Sequence, residues 1–215
     1  MSEAHDHDHD ADHGHAHAPP AKDEKIHSYY QVLGLALKEL LIEKGIVSAE
    51  EIRKAIEARD AITPALGAQI VARAWCDPAF KSRLLANGSE AVKEFGLDMG
   101  ALHLVVVENT PSVHNIIVCT LCSCYPRAVL GLPPSWYKSR EYRARAVREP
   151  RAVLEEFGTS LPKTVEVRVH DSTADIRYLV LPMRPRGTET LSENELARLV
   201  TRDCMIGTSL PAVPA

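Results

Sequence analysis

Asn115-Ile116-Ile117-Val118-Cys119-Thr120-Leu121-Cys122-Ser123-Cys124-Tyr125-Pro126 runs from apolar chain into three closely spaced cysteines and a proline. Ile116, Ile117 and Val118 read as the end of a buried strand, and Cys119 to Cys124 as the turn it opens into. Pro126 keeps that turn from relaxing into a longer helix or strand. Loops at strand ends display reactive groups on a rigid support. Upstream, residues 102–107 (Leu, His, Leu, Val, Val, Val) read as a second strand. His103 faces away from Leu102 and Leu104 there, so it reads as a surface or satisfied core histidine rather than a ligand. Downstream, Val165, Val167 and Val169 alternate with Glu166 and Arg168 in a half-buried strand. Residues 176–181 form another, and the short connector from His170 to Asp175 predicts a hairpin between the two.

Before the strands the pattern is helical. Tyr29, Tyr30, Leu33, Leu37, Leu40 and Leu41 recur at helical spacing across residues 25–44, with Gly45 as the stop. Ser48 and Glu51 have capping-box spacing and open a second helix. Thr63-Pro64 reads as N-cap and first-turn proline of a third, running toward Trp75. Asp77-Pro78 starts a short helix ended by Asn87-Gly88, and residues 89–95 form another, closed by Gly96. The apolar residues of this region read as packing, and Cys76 as a small buried hydrophobe. After the cysteines, the prolines and glycine of residues 125–137 predict a long ordered loop. A basic stretch follows (Arg140, Arg143, Arg145, Arg148, Arg151) around a short helix, serving as solvated surface or partner contact. Residues 150–157 form a helix stopped by Gly158. Ser192 and Glu195 make another capping box, predicting a helix through Arg202. Helices followed by strands mixed with helices give an α+β chain, an N-terminal helical arm preceding a layered α/β domain. The expected divisions are a disordered tail at 1–24, a helical region at 25–100 and an α+β domain at 101–215.

The chain has 215 residues and a formal charge of −4, which gives no reason to expect nucleic acid. It has no apolar stretch of membrane-spanning length and no signal-peptide core, so the expected location is the cytoplasm, without membrane contact. There its five cysteines are reduced unless bound or modified. In the tail, His5, His7, His9, His13, His15 and His17 alternate with acidic residues. Such a segment cannot pack; it is either a weak metal-collecting tail or a solvated tail with no role.

Spacing leaves three readings of the cysteines. A structural zinc site wants four ligands, commonly in two pairs, and Cys76 and Cys204 are distant in sequence. A redox dithiol needs only Cys119 and Cys122, leaving Cys124 unexplained. A single soft or borderline metal held by all three sulfurs uses every cysteine of the turn, with the backbone nitrogens of Ser123 and Cys124 in reach.

Val118 to Pro126 resembles the metal-binding motif of the nitrile hydratase alpha subunit, a family shared with the thiocyanate hydrolase gamma subunit. The likeness continues through Gly67-Ala68, Asp77-Pro78, Val107-Glu108-Asn109-Thr110, Leu130-Gly131-Leu132-Pro133-Pro134, Trp136-Tyr137-Lys138, Arg177-Tyr178 and Leu199-Val200-Thr201-Arg202-Asp203, covering roughly residues 30–210. The resemblance implies a low-spin trivalent metal on the thiolates of Cys119, Cys122 and Cys124 and the backbone nitrogens of Ser123 and Cys124. Thr120 matches the cobalt type, making iron the lesser expectation. The resemblance further implies Cys122 as sulfinic and Cys124 as sulfenic acid, two rungs of the thiol oxidation ladder. A beta-type partner subunit would supply arginines to these oxygens, and a metallochaperone or activator is a further expected partner. The implied reaction hydrates a nitrile to its amide by Lewis-acid activation. The Cys124 sulfenate is a candidate nucleophile, and Ser123 would orient water.

Departures bear on substrate. Many nitrile hydratases have Tyr-Pro-Trp where this chain has Tyr125-Pro126-Arg127, and Arg127 resembles the thiocyanate hydrolase subunit. An arginine there favours an anion such as thiocyanate. His170 stands where a tryptophan is usual, and the segment from Gly96 to Leu102 is shorter than usual. Gly131-Leu132-Pro133-Pro134 and Arg148-Glu149-Pro150-Arg151 are closer to nitrile hydratase. A non-catalytic metal-binding subunit and a structural subunit are the remaining alternatives.

Overall fold

The computed structural model describes residues 28–122 and 124–213 and falls into two units, residues 1–52 and 53–215. The expected disordered tail at 1–24 lies outside the described residues. In the first unit, α1 (Tyr29–Glu43) begins later than the apolar pattern suggested, because Ser28 caps it. The Ser28 side chain accepts from the Gln31 amide, and the Gln31 side chain accepts from the Ser28 amide at 2.7 Å. No residue of α1 is buried. The helix α2 (Ala49–Asp60) starts in this unit with the expected capping box: the Ser48 amide donates to Glu51 Oε2 at 2.7 Å and the Glu51 amide to Ser48 Oγ at 3.1 Å.

The second unit opens with α3 (Ala65–Cys76), α4 (Pro78–Ala86) and α5 (Gly88–Ala91), continued by a 3-10 turn at Val92–Phe95. Pro64 rather than Thr63 occupies the N-cap of α3, without a side-chain bond. Asp77 caps α4 by accepting from the amides of Ala79 and Phe80, with Pro78 in the first turn. The buried face of α3 carries Ala68, Ile70, Val71 and Ala74. Cys76, on its last turn, is off that face and exposed, contrary to the expectation of burial.

The strands are β1 (His103–Glu108), β2 (Val113–Val118), β3 (Glu166–Asp171) and β4 (Ile176–Leu181). The expected hairpin between the last two does not form. β1 pairs with β4 and β2 with β3, both in parallel, in two separate two-stranded sheets. The short connector after β3 carries the chain from one sheet to the other. The long crossovers that parallel pairing demands are the segments between β2 and β3 and between β1 and β4.

Residues 125–137, expected as loop, contain α6 (Arg127–Leu130) and the start of α7 (Ser135–Lys138). Their prolines sit at helix starts, where a fixed φ and a missing N–H are tolerated, so they open short helices instead of preventing them. The basic stretch forms α8 (Arg140–Arg148), capped by Ser139, and α9 (Pro150–Glu156) follows. Ser192 and Glu195 form the expected capping box, but α10 (Glu193–Ala197) ends well before Arg202. Thr201 then caps a separate helix, α11 (Arg202–Ile206), which stops at Gly207 with φ 91°. A Cβ on Gly207 would meet the Asn115 carbonyl oxygen at 2.0 Å, so α11 ends pressed against the backbone of β2.

The core joins α3, α4, both sheets and α11. Ile70, Phe80, Leu84, Ile116, Ile117, Leu179, Leu181 and Met205 are fully enclosed. Each large side chain buried this way stabilises the fold by roughly 1.5–3 kcal/mol relative to exposure. β2 is buried from His114 to Val118, as its apolar run predicted, and it delivers the cysteine turn from the centre of this core. The mixed α+β class read from the sequence is the class observed. Among the described residues, no helix is long and apolar enough to cross a membrane.

Candidate metal centre

Cys119 continues directly from β2 and is fully buried, while Cys122 is exposed and Cys124 half-buried. The turn folds back so that Cys119 Sγ and Cys122 Sγ lie 3.5 Å apart, and Cys122 Sγ and Cys124 Sγ 3.2 Å apart. The Cys122 amide donates to Cys119 Sγ at 3.3 Å. All three sulfurs fall within 4.8 Å of one another. Their separations far exceed a disulfide bond. Ser123 lies outside the described residues, so its expected backbone and hydroxyl roles gain no geometry.

Three groups brace the turn. Val118 is in register with Asp171, so the end of β3 lies beside the start of the turn. Asp171 accepts there from the Thr120 amide at 2.9 Å and the Thr120 hydroxyl at 2.5 Å. Thr120 is thus engaged by Asp171, and it supports the turn from outside the sulfur cluster. Tyr137, fully buried on α7, donates its hydroxyl to the Cys124 carbonyl at 2.9 Å. Arg143 on α8 donates to the Thr120 carbonyl at 3.3 Å. On the same helix, Tyr142 donates to the Ile117 carbonyl at 2.8 Å and holds the end of β2. The rings of Trp136, Tyr137, Tyr142 and Phe157 pack at centroid distances of 4.6–6.3 Å, which fixes the two hydroxyls.

Burial pushes the Cys124 thiol up to about 12, helped by hydrogen bonds with Cys122 and Cys119 and opposed by the Arg177 guanidinium. Without a cation, this cysteine stays protonated. A metal ion reverses that balance, since a coordinating thiol is deprotonated outright. Three soft sulfurs this close are a donor set for a thiophilic transition metal. No fourth His, Cys, Asp or Glu joins the group among the described residues, which departs from a closed structural zinc site.

A cavity of about 480 Å³ opens beside Cys122 and Cys124. Arg127 lines it; His170 does not. His170 Nε2 instead meets Asn115 Oδ1 at 2.8 Å, and its ring lies 5.1 Å from that of Tyr178. His114, whose closeness in sequence invites a catalytic role, is buried away from the sulfurs and bonded to the Gly207 carbonyl at 2.7 Å. Within the basic stretch, Arg145 pairs with Glu149 and Glu156 at 2.7 and 2.5 Å, and Arg151 reaches backbone carbonyls. Sequence reasoning missed Asp171, Tyr137 and Arg177 as parts of the site. Tyr137 and Arg177 stood within the family-like segments, but nothing in their spacing pointed to the cysteines.

The fold and the sulfur cluster together define a mixed α+β chain able to bind a metal through cysteine. The nitrile hydratase, alpha chain, family matches residues 28–209, and the chain belongs to that family of enzyme subunits. It is 53% identical over 182 residues to the low-molecular weight cobalt-containing nitrile hydratase subunit alpha of Rhodococcus rhodochrous, covering 84% of this chain and 88% of the relative. It is 44% identical over 196 residues to the thiocyanate hydrolase subunit gamma of Thiobacillus thioparus, covering 86% of this chain and 81% of the relative. Among solved structures, a double mutant of an Fe-type nitrile hydratase from Comamonas testosteroni Ni1 superposes with a TM-score of 0.80 at 45% identity, covering 86% of this chain and 94% of that one.

Proposed function

We propose that this chain is the alpha subunit of a cobalt-type nitrile hydratase, in which Cys119, Cys122 and Cys124 hold a non-corrin trivalent cobalt and the product is an amide. The observation that carries this is the gathering of three sulfurs within 4.8 Å at the end of a buried strand, in a chain of the nitrile hydratase alpha family. The cobalt-containing name of the 53% identical relative supports cobalt over iron. The backbone nitrogens of Ser123 and Cys124 complete the proposed ligand set. When bound, the metal supplies Lewis-acid activation of the nitrile or of water.

This chain's own residues prepare the site. Asp171 and Tyr137 fix the turn at Thr120 and at the Cys124 carbonyl, so the sulfurs are held without reorganisation. Arg177 places positive charge near Cys124 and favours its anionic forms. Cys122 as sulfinate and Cys124 as sulfenate add acceptor oxygens at the cavity wall, to be held by arginines of a beta-type partner. In that state Cys124 offers a nucleophilic oxygen and Ser123 a hydroxyl to orient water. A metallochaperone or activator serves loading, and the assembly works in the cytoplasm.

The test uses the complex expressed with its partner chain and loaded with cobalt. Expected outcomes are stoichiometric cobalt, oxygen mass increments on the peptide carrying Cys122 and Cys124, and amide formed from a small nitrile. Cys122→Ala should lose metal and turnover together; full activity in that variant ends the proposal. Conversion of thiocyanate to carbonyl sulfide and ammonia is the second reading, favoured by Arg127 at the cavity.

A further inference from the structure

The chain holds ten histidines, and six of them fall within residues 5–17. They form two triplets at alternate positions: His5, His7 and His9, then His13, His15 and His17. Asp6, Asp8, Asp10 and Asp12 lie among them, and no lysine or arginine precedes Lys22. These residues precede the described ones. The folded units show where three other imidazoles go. His114 is bonded to the Gly207 carbonyl and Asn109, and His170 to Asn115. His103 is exposed at the start of β1 and joins no metal-ligating group. Among the described residues the fold assembles one such group, Cys119, Cys122 and Cys124. The metal-ligating side chains are therefore divided between a sulfur set in the fold and an imidazole–carboxylate set near the N-terminus.

The two sets differ as ligands. Imidazole nitrogen and carboxylate oxygen take first-row divalent ions broadly, whereas thiolates favour soft and borderline ones. Alternate residues of an extended chain share a side, so the imidazoles of one triplet can meet on a single ion. Carboxylates with no basic neighbour raise the local concentration of cations. The sulfur set is open on one side: Cys119 is fully buried and Cys122 exposed, so an arriving ion meets Cys122 first. We propose that residues 5–17 bind divalent cobalt at the two histidine triplets and hand it to the cysteine turn by way of Cys122. This rests on reading the cysteine cluster as a cobalt centre. The transfer is a ligand exchange from nitrogen and oxygen donors to sulfur donors; protons leave the thiols as the ion arrives, and no electron moves. Attachment to the same chain turns capture from solution into a step within one assembly. Its effective concentration is on the order of millimolar for a short linker, far above free cobalt held down by competing ligands.

The experiment compares the complex of the natural chain and its partner with a variant carrying His5→Gln, His7→Gln, His9→Gln, His13→Gln, His15→Gln and His17→Gln. The variant keeps every acid and leaves the described residues unchanged. The first readout is equilibrium dialysis against cobalt(II), with metal at the cysteines followed separately by its thiolate–metal absorption. The natural complex should take up further cobalt(II) beyond the cysteine centre, about one ion for each triplet, and the variant should lose it. No further uptake, or equal uptake by the variant, overturns the proposal. The second readout is the rate at which the thiolate–metal bands appear when complex prepared without metal meets one equivalent of cobalt(II) in citrate. That rate should fall about tenfold in the variant and recover in excess cobalt(II), while turnover per bound cobalt stays the same. Equal or faster filling in the variant shows that the tail does not deliver, and overturns the transfer. A cysteine turn that takes no cobalt in either complex ends the proposed centre and the transfer together, and dialysis still decides whether the triplets bind the ion.

Discussion

Asp171 meets the cysteine turn with both carboxylate oxygens, one on the Thr120 amide and one on the Thr120 hydroxyl. Hydrogen bonds to a charged group are worth about 1.5–3 kcal/mol each, and the exposure of Asp171 puts this pair toward the lower end. Asp171→Ala removes both acceptors, so cobalt content and turnover should fall by about tenfold while the bulk fold persists. Asp171→Asn keeps one acceptor for the amide, and its new N–H₂ can donate to the Thr120 hydroxyl, so it should recover most of the loss. Metal analysis and the visible absorption of the thiolate–metal bands separate this from a general folding defect; equal damage by alanine and asparagine would refute the geometric role. Tyr137 acts from the other side. Tyr137→Phe keeps the buried ring but strips the donor from the Cys124 carbonyl, and should cost about 1 kcal/mol in urea unfolding while shifting the same absorption bands. Unchanged bands would mean that the hydroxyl does not position Cys124.

At the scale of an element, β2 carries a buried polar chain as well as the cysteines. His114 Nε2 faces the Gly207 carbonyl, so that nitrogen must carry the proton and Nδ1 must accept from the Asn109 side chain at 3.3 Å. Asn109 Oδ1 is thereby left to accept from the Asn115 amide at 2.7 Å and the Asn115 side chain at 3.0 Å. Asn115 Oδ1 in turn accepts from His170 Nε2. Every bond fits neutral imidazoles; a second proton on His114 would set two donors against each other. Burial holds both histidines below their ordinary value of 6.5. The unfolded chain therefore binds more protons below that pH, so stability is complete above about pH 6.5 and declines as pH falls toward the folded values. Urea midpoints between about pH 7.5 and pH 5 should fall, and His114→Gln should flatten the slope; an equal slope in the variant would sink this account. What could be read in the sequence follows the same division. The end of β2, the cysteine turn and the capping boxes at Ser48 and Ser192 depend on residues a few positions apart, so spacing exposes them. Pairing of β2 with β3 joins segments about fifty residues apart, and alternation in Val165, Val167 and Val169 marks a strand without naming its partner. Asp171 escaped notice for that reason, and α6 and α7 because their prolines read equally as loop marks or helix starts.

Across the whole second unit, the sulfur cluster ties local and distant chain together. The three sulfurs proposed as ligands lie within residues 119–124, so an unfolded chain can present them to a metal nearly as readily as a folded one. Binding that does not discriminate between the two states adds no stability, whatever its affinity. Discrimination must come from groups that reach the turn only after folding: Asp171 from β3, Tyr137 from α7 and Arg143 from α8. A ligand bound solely by the folded state at a hundred times its Kd would contribute about 2.7 kcal/mol. At a hundred times its Kd, cobalt should therefore raise the unfolding free energy of the complex by less than that limit. The gain should shrink further in Asp171→Ala, because the variant removes part of what distinguishes the folded turn from the unfolded one. The measurement is a cycle of four denaturation curves, with and without cobalt, in the natural chain and in Asp171→Ala. A coupling of about 1 kcal/mol between metal and Asp171 is the expected outcome. Strict additivity would place the metal's grip entirely within the six-residue turn and leave β3 no part in holding it.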